Sequence, residues 1–257
     1  MPILSTIDYL ILMPLIFLAG FIDAIAGGGG IISLPAYFSI GIPPHMALGT
    51  NKFSSFSGTV FSTARYFKAK MMDVPIALTS AALALIGSWL GARTALKVSA
   101  DFLNYLLIIL IPLIAAFTLL RKNLGYEDKA DQIKKGVRFV LAALAGLIIG
   151  FYDGFFGPGT GTFLIIIYAT LLKYDFIRAN ANTKVVNLAS NTAALVTFAF
   201  AGKIFYPAAI PAAIFGIAGN LTGSKLVILR GNKFIRQIFI LALLLLLMRI
   251  AWTLFSN

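Results

Sequence analysis

The sequence predicts an all-α, polytopic membrane protein made of two repeats of about five segments each. Each repeat has four spanning helices and one short broken or re-entrant segment, and the second repeat is inverted relative to the first. Three observations carry this. Hydrophobic residues fill 60% of the 257 positions, and the mean hydropathy is +0.93. Soluble domains are about 45–50% apolar, so lipid must be the solvent for much of this chain. Apolar runs of near-membrane length recur from end to end. The chain also repeats itself: Gly20-Phe21-Ile22-Asp23-Ala24-Ile25-Ala26-Gly27-Gly28-Gly29 aligns with Gly150-Phe151-Tyr152-Asp153-Gly154-Phe155-Phe156-Gly157-Pro158-Gly159. Two residues later in register, Thr50-Asn51-Lys52 faces Asn182-Thr183-Lys184, and Phe102 faces Phe234.

The segments follow in order. The first, 7–26, is long enough to span, since about 20 residues are needed. The stretch before it, Met1 to Ile7, has no Lys or Arg, so the run reads as a retained membrane helix rather than a cleaved signal. The second, 30–41, is short and bracketed by Gly27 to Gly30, Pro35, Gly41, Pro43 and Pro44. Such broken backbone is tolerated at membrane depth only where protein or water covers it. The third, 46–68, starts with the Thr50-Asn51-Lys52 motif and carries a polar or small stripe of Asn51, Ser55, Gly58 and Ser62. The fourth, 74–96, holds Gly87 and Gly91, a spacing that reads as close helix packing. The fifth covers 102–120. A polar linker, 121–136, expected to be a solvated cytoplasmic connector, separates the repeat 1–120 from the repeat 137–257. The second set runs 137–156, 159–172, 179–201, 205–227 and 234–254, with Gly219 and Gly223 matching Gly87 and Gly91 and with Asn220 beside them.

Loop charge tests the topology. With five crossings per repeat, the loops near 65–70, 121–138, 173–178 and 225–236 share one side and hold most of the Lys and Arg. The other side holds only Arg93, Lys97 and Lys203 in its loops. Cytoplasmic loops show this bias. An odd number of crossings inverts the second repeat and places both ends away from the cytoplasm; if the second segment only dips in and returns, each repeat crosses four times and the basic loops 121–138 and 225–236 fall on opposite sides.

Polar residues inside apolar segments are costly and usually face a cavity. Asp23 and Asp153 each end an apolar run; each carries a coupling proton or orients the turn, or else caps the helix that follows. The glycine turns, with Gly28, Gly29 and Gly30 in one repeat and Gly159 and Gly161 in the other, expose backbone N–H groups at a helix start, which suits an anion. The same glycines also suit a tight turn. Thr50, Asn51, Lys52, Asn182, Thr183 and Lys184 all donate hydrogen bonds, and Asn187 and Asn191 continue the second stripe. Their alternative role is interfacial snorkelling and interhelix bonding. Together these groups form the candidate site for a small anion between the repeats. No nucleotide motif is present, so the energy comes from a gradient, with a proton as the candidate coupling ion.

Several classes are excluded or disfavoured. There is no Cys and one His, His45, which reads as a loop-end residue, so no metal site and no cofactor are expected. The net charge of +12 lies at the flanks of apolar runs rather than on a basic stripe with aromatics, so no nucleic-acid partner is expected. The partners are a small anionic substrate and the lipid bilayer. The oligomeric state stays open.

The motifs Gly20 to Gly30, Pro35 and Gly49-Thr50-Asn51-Lys52, with their copy at Gly150 to Gly161, Asn182-Thr183-Lys184 and Asn187, resemble the TauE/SafE family of sulfite exporter-type permeases. The resemblance covers essentially the whole chain and implies a multi-pass permease of the bacterial or archaeal inner membrane. It implies sulfite or an organosulfonate as cargo, and no enzyme activity. Pro158 and Thr160 replace glycines of the first turn, so the two turns need not contribute equally. The alternatives are a non-transporting membrane subunit or scaffold and an intramembrane lipid-phosphate enzyme. The latter lacks a nucleophile–base pair.

Overall fold

The computed structural model describes residues 4–99, 101–102 and 127–255, with backbone only for 232–233, 235–236 and 238–255. The segment expected at 102–120 and most of the linker lie outside the described residues. Every element among the described residues is helical: α1 Thr6–Ala26, α2 Gly30–Ser39, α3 Pro44–Lys68, α4 Val74–Ala95, a 3₁₀ turn Ala130–Gln132, α5 Lys135–Phe155, α6 Thr160–Thr170, α7 Phe176–Phe200 and α8 Tyr206–Phe255. Local chemistry explains the starts. Ser5 caps α1 with Asp8 completing a reciprocal box, Asp175 caps α7 by accepting from the Arg178 amide at 2.8 Å, and Pro occupies the first turn of α3 and α4. The separate helices expected at 205–227 and 234–254 meet at Gly231, whose φ of 71° and ψ of −162° break the helical run Tyr206–Phe255 in two.

Among the described residues, four helices are long and apolar enough to cross a membrane: α1, α4, α5 and the Tyr206–Gly231 part of α8. The 25-residue α3 and α7, expected as spans from their length, fall short on hydropathy. The reason is position. Buried residues line α3 from Ala47 to Tyr66 and α7 from Phe176 to Phe198, because these helices are jacketed by the others. A helix shielded from lipid has no need of an apolar surface.

Helix directions follow from which residues meet. Tyr9 donates to the Pro207 carbonyl, Gly20 faces Gly216, and Gly223 faces Phe21 and Ala24, so α1 and α8 are parallel. Gly146, Gly150 and Gly154 of α5 meet Ser80, Ala84 and Ser88 of α4 in step, so these too are parallel. Ser54 and Gly58 of α3 meet Gly216 and Asn220 of α8. Gly49 meets Phe198 and Lys203, while Thr63 bonds the Lys184 carbonyl, so α3 and α7 are antiparallel. Thus α1, α3 and α8 run one way, and α4, α5 and α7 the other. A Cβ at Gly87, Gly91 or Gly219 would collide with the carbonyl oxygen of Leu147, Phe151 or Phe17 respectively, as the close-packing expectation required. Packing therefore joins α8 to α1 and α3, and α4 to α5 and α7. Each group takes its fourth helix from across the linker.

The short α2 and α6, of 10 and 11 residues, double back. At 1.5 Å per residue they reach about half a membrane. His45 near the start of α3 lies 3.2 and 3.0 Å from the Ala95 and Val98 carbonyls, at the end where α1 also begins. His45 is a helical residue tied to the α4 end rather than a loop residue.

The described part of the linker is largely exposed, as a solvated connector should be, and it is also anchored to the bundle. The Lys129 amide donates to the Lys173 carbonyl at 2.8 Å, Ala130 is buried, and Asp128 pairs with Arg178 at 2.8 Å. Asp73 completes this basic end. Its carboxylate lies 3.7 Å from Arg138 and 3.5 Å from Arg178, and it accepts from the Tyr174 hydroxyl at 2.7 Å. Burial, then the Asp73 carboxylate, pushes the Tyr174 hydroxyl above its usual range.

Candidate functional site

The two turns meet in the middle of the bundle. Gly27 and Gly28 have φ of 68° and 92°, and Gly157 and Gly159 have φ of 99° and 79°, a region that glycine enters freely. A Cβ at Gly161 would lie 2.6 Å from the Gly27 Cα, and one at Gly30 would lie 3.3 Å from the Pro158 Cα. Gly29 is closed in by Ala19 and Asp23, and Gly28 and Gly159 also come close. The N-termini of α2 and α6 therefore converge, bringing two partial positive poles of about half a charge each to one place.

Both motif lysines are buried in this region, and each is paired across the linker. Lys52 Nζ on α3 lies 2.9 Å from Asp153 Oδ1 on α5, with 2% and 7% side-chain exposure. Lys184 Nζ on α7 lies 2.9 Å from Asp23 Oδ2 on α1 and also donates to the Asp23 carbonyl. The arrangement is reciprocal: lysine from the third helix of one half, aspartate from the first helix of the other. The aspartates bind lysines here and give no side-chain cap to the short helices after them. Ser190 holds the other Asp153 oxygen at 2.6 Å. Both lysines stand more than two turns inside helices that start at Pro44 and Phe176, earlier than the sequence boundaries of 46 and 179.

The other motif residues divide. Thr50 Oγ1 accepts from the Phe205 amide at 3.0 Å, just before α8, and Asn182 Oδ1 accepts from the Asp73 amide at 2.9 Å, just before α4. These two side chains tie helix starts of the other half. Asn51 Oδ1 accepts from Ser33 Oγ at 2.5 Å. On α7, Asn182 Nδ2, Thr183 Oγ1 and Asn187 Oδ1 are buried with no hydrogen-bond partner among the described residues, and Asn191 is buried beside them. Buried polar atoms left open in this way cost about 1–3 kcal/mol each unless something bonds them, so they mark where a polar ligand would be welcome.

A cleft touches one of the two ion pairs. Ile16, Ala19, Gly20 and Asp23 of α1, Gly29 before α2 and Ser33 in it, Ser54 and Ser55 of α3, and Gly216 and Asn220 of α8 line it. Asp23 keeps 18% side-chain exposure there. Ser33 and Ser54 escaped the sequence reading, because no periodic stripe joins α2 to α3.

The profile of the family described as Sulfite exporter TauE/SafE matches residues 12–250. The chain is similar to the "Probable membrane transporter protein YfcA" of Escherichia coli (strain K12), with 36% identity over 224 residues, covering 87% of this chain and 82% of that protein. It is similar to the "Probable membrane transporter protein ORF9" of Sinorhizobium sp, at 35% over 234 residues, 91% of this chain and 88% of the other. The "Probable membrane transporter protein" of Haemophilus influenzae matches at 33% over 225 residues, 88% and 87% of the two chains. No solved structure matches.

Proposed function

The chain belongs to the sulfite exporter TauE/SafE family and is a multi-pass membrane transporter rather than an enzyme, and from that premise we propose that it is a secondary carrier of a small oxyanion such as sulfite or an organosulfonate. The observation that carries the reading is the reciprocal pair of buried ion pairs beside two converging helix N-termini. A buried lysine held by a carboxylate is a cation in reserve. When a coupling cation, a proton on Asp23 or Asp153 in the simplest case, neutralises the carboxylate, the ammonium becomes free to bind an anion. The helix poles, Thr183, Asn187 and the glycine amides complete the anion's shell.

Alternating access follows from the same parts. We take 1–120 and 137–257 as inverted repeats, supported by the opposed directions of α1 and α5, α3 and α7, and α4 and α8. The two packing groups meet chiefly where α3 and α7 cross. Rocking there would expose one lysine, then the other, to opposite sides. The Asp73, Arg138, Arg178 and Asp128 network, on the basic and therefore cytoplasmic end, would be closed in one state and open in the other.

The test is anion flux. In proteoliposomes, sulfite flux should fall strongly in Lys52→Ala and in Lys184→Ala. Unchanged flux in both variants would remove the proposed charge role.

A further inference from the structure

We infer that the cleft beside Asp23 is a sodium site. The coupling role of that ion rests on the transport reading, whereas the binding itself rests on geometry alone. The argument is a count of donors and acceptors. Asp23 gives Oδ2 to Lys184, which leaves Oδ1 for the cleft. Ser33 Oγ donates to Asn51 Oδ1 at 2.5 Å or to the Gly29 carbonyl at 3.2 Å, and Ser54 Oγ, which lies 3.0 Å from the Tyr37 hydroxyl, donates to the Asn51 carbonyl at 3.1 Å, so each serine has its proton committed and keeps a lone pair for a ligand. Asn220 Nδ2 donates to the Gly216 carbonyl at 3.1 Å. That bond fixes the amide with Oδ1 on the other side, where it has no partner among the described residues although Asn220 is 2% exposed.

The amide is built into this position. A Cβ at Gly58 would collide with the Asn220 amide nitrogen, and one at Gly20 would lie 3.0 Å from it. Two glycines on α3 and α1 thus make the slot through which Asn220 reaches the cleft.

The resulting lining offers a carboxylate oxygen, two serine oxygens and an amide oxygen, with one Asn220 N–H committed to Gly216 and the Gly29 backbone also in the wall. An anion there would meet the Asp23 carboxylate. A hard cation finds oxygen ligands, as such ions require. One carboxylate suits a monovalent ion, and no group of three or more His, Cys, Asp or Glu is present among the described residues. The charged or titratable groups facing Asp23 are Lys184 from α7 and Tyr66 from α3, whose hydroxyl donates to the Ala24 carbonyl; α2 brings the Tyr37 hydroxyl, 3.0 Å from the lining Ser54 Oγ, and α8 brings none. Sodium at this place offsets the Asp23 charge and loosens Lys184. The Lys52–Asp153 pair is not in the cleft lining, so one pair responds to the cation and the other does not.

The experiment is thermal unfolding of the purified full chain in nanodiscs, in sodium, potassium and choline chloride at one pH and ionic strength. Sodium should raise the melting temperature saturably, and choline should not. Ser33→Ala should raise the half-saturating sodium concentration about tenfold, the effect of roughly 1.4 kcal/mol, and Asn220→Leu should abolish the response. Coincident curves in all three salts, or an intact sodium response in both variants, would overturn the site. Proteoliposome flux separates the two claims. A sodium response without anion flux sinks the transport reading alone, and anion flux driven by a proton gradient with no sodium response sinks the sodium site alone.

Discussion

Removing Asp153 while keeping Lys52 should be one of the most damaging single changes in the protein. The pair is 2.9 Å apart with 2% and 7% side-chain exposure, so water screens it little. Asp153→Leu leaves an ammonium buried without a counterion, which costs about 3–5 kcal/mol. Ser190 loses its 2.6 Å bond but keeps the Asn187 carbonyl at 3.2 Å, so it adds little to that figure. Lys52→Met strands the carboxylate and should cost a similar amount. The double variant Lys52→Met/Asp153→Leu replaces the pair by apolar groups and should recover most of the loss, giving a coupling of roughly 3 kcal/mol. At the second pair Asp23 is 18% exposed, so Asp23→Leu should cost less than Asp153→Leu. Unfolding in mixed micelles, followed by circular dichroism, measures all four variants. Single variants that each cost under about 1 kcal/mol and add in the double would refute the buried pair.

Three further outcomes follow from the packing and loops. Gly91→Val should destabilise by about 1–3 kcal/mol or more through overpacking against Phe151, whereas Gly136→Val, with nothing near its Cβ, should not; the same unfolding assay reads both. Lys70 and Lys173 both sit at φ 56°, so Lys70→Gly and Lys173→Gly should each add about 1 kcal/mol of stability by relieving left-handed strain. Asp73→Asn should lower the melting temperature more at low salt than at 1 M salt, because Arg138 and Arg178 then face each other without their shared carboxylate.

Much of the fold was legible because lipid imposes simple rules. Apolar length marked α1, α4, α5 and α8, and the spacing of Gly87, Gly91, Gly219 and Gly223 marked helices whose backbones touch. Glycine and proline density marked α2 and α6 as short, broken pieces. What the sequence hid was partnership. Lys52 and Asp153 are 101 positions apart, and Lys184 and Asp23 are 161 apart. Duplication singled out all four residues but gave no sign that each lysine closes on the aspartate of the other half. The partners of Thr50 and Asn182 were hidden for a similar reason. Their type fits a binding site, and only the exchange of the fourth helices reveals that they tie the Phe205 and Asp73 amides. The polar or small stripes of α3 and α7 marked a face turned to protein or water, and Asn51, Gly58, Ser62, Thr183, Asn187, Ser190 and Asn191 are buried.

The central claim is that each aspartate holds a lysine which an anion would otherwise take. Equilibrium binding of labelled sulfite and a panel of small oxyanions to purified protein in nanodiscs tests it most directly, comparing wild type with Asp153→Asn. The near-isosteric amide leaves Lys52 charged but without its counterion, so anion affinity should rise by about tenfold, worth roughly 1.4 kcal/mol, and should fall again in Asp153→Asn/Lys52→Met. Affinity for the whole panel that is unchanged or lost in Asp153→Asn would contradict the account.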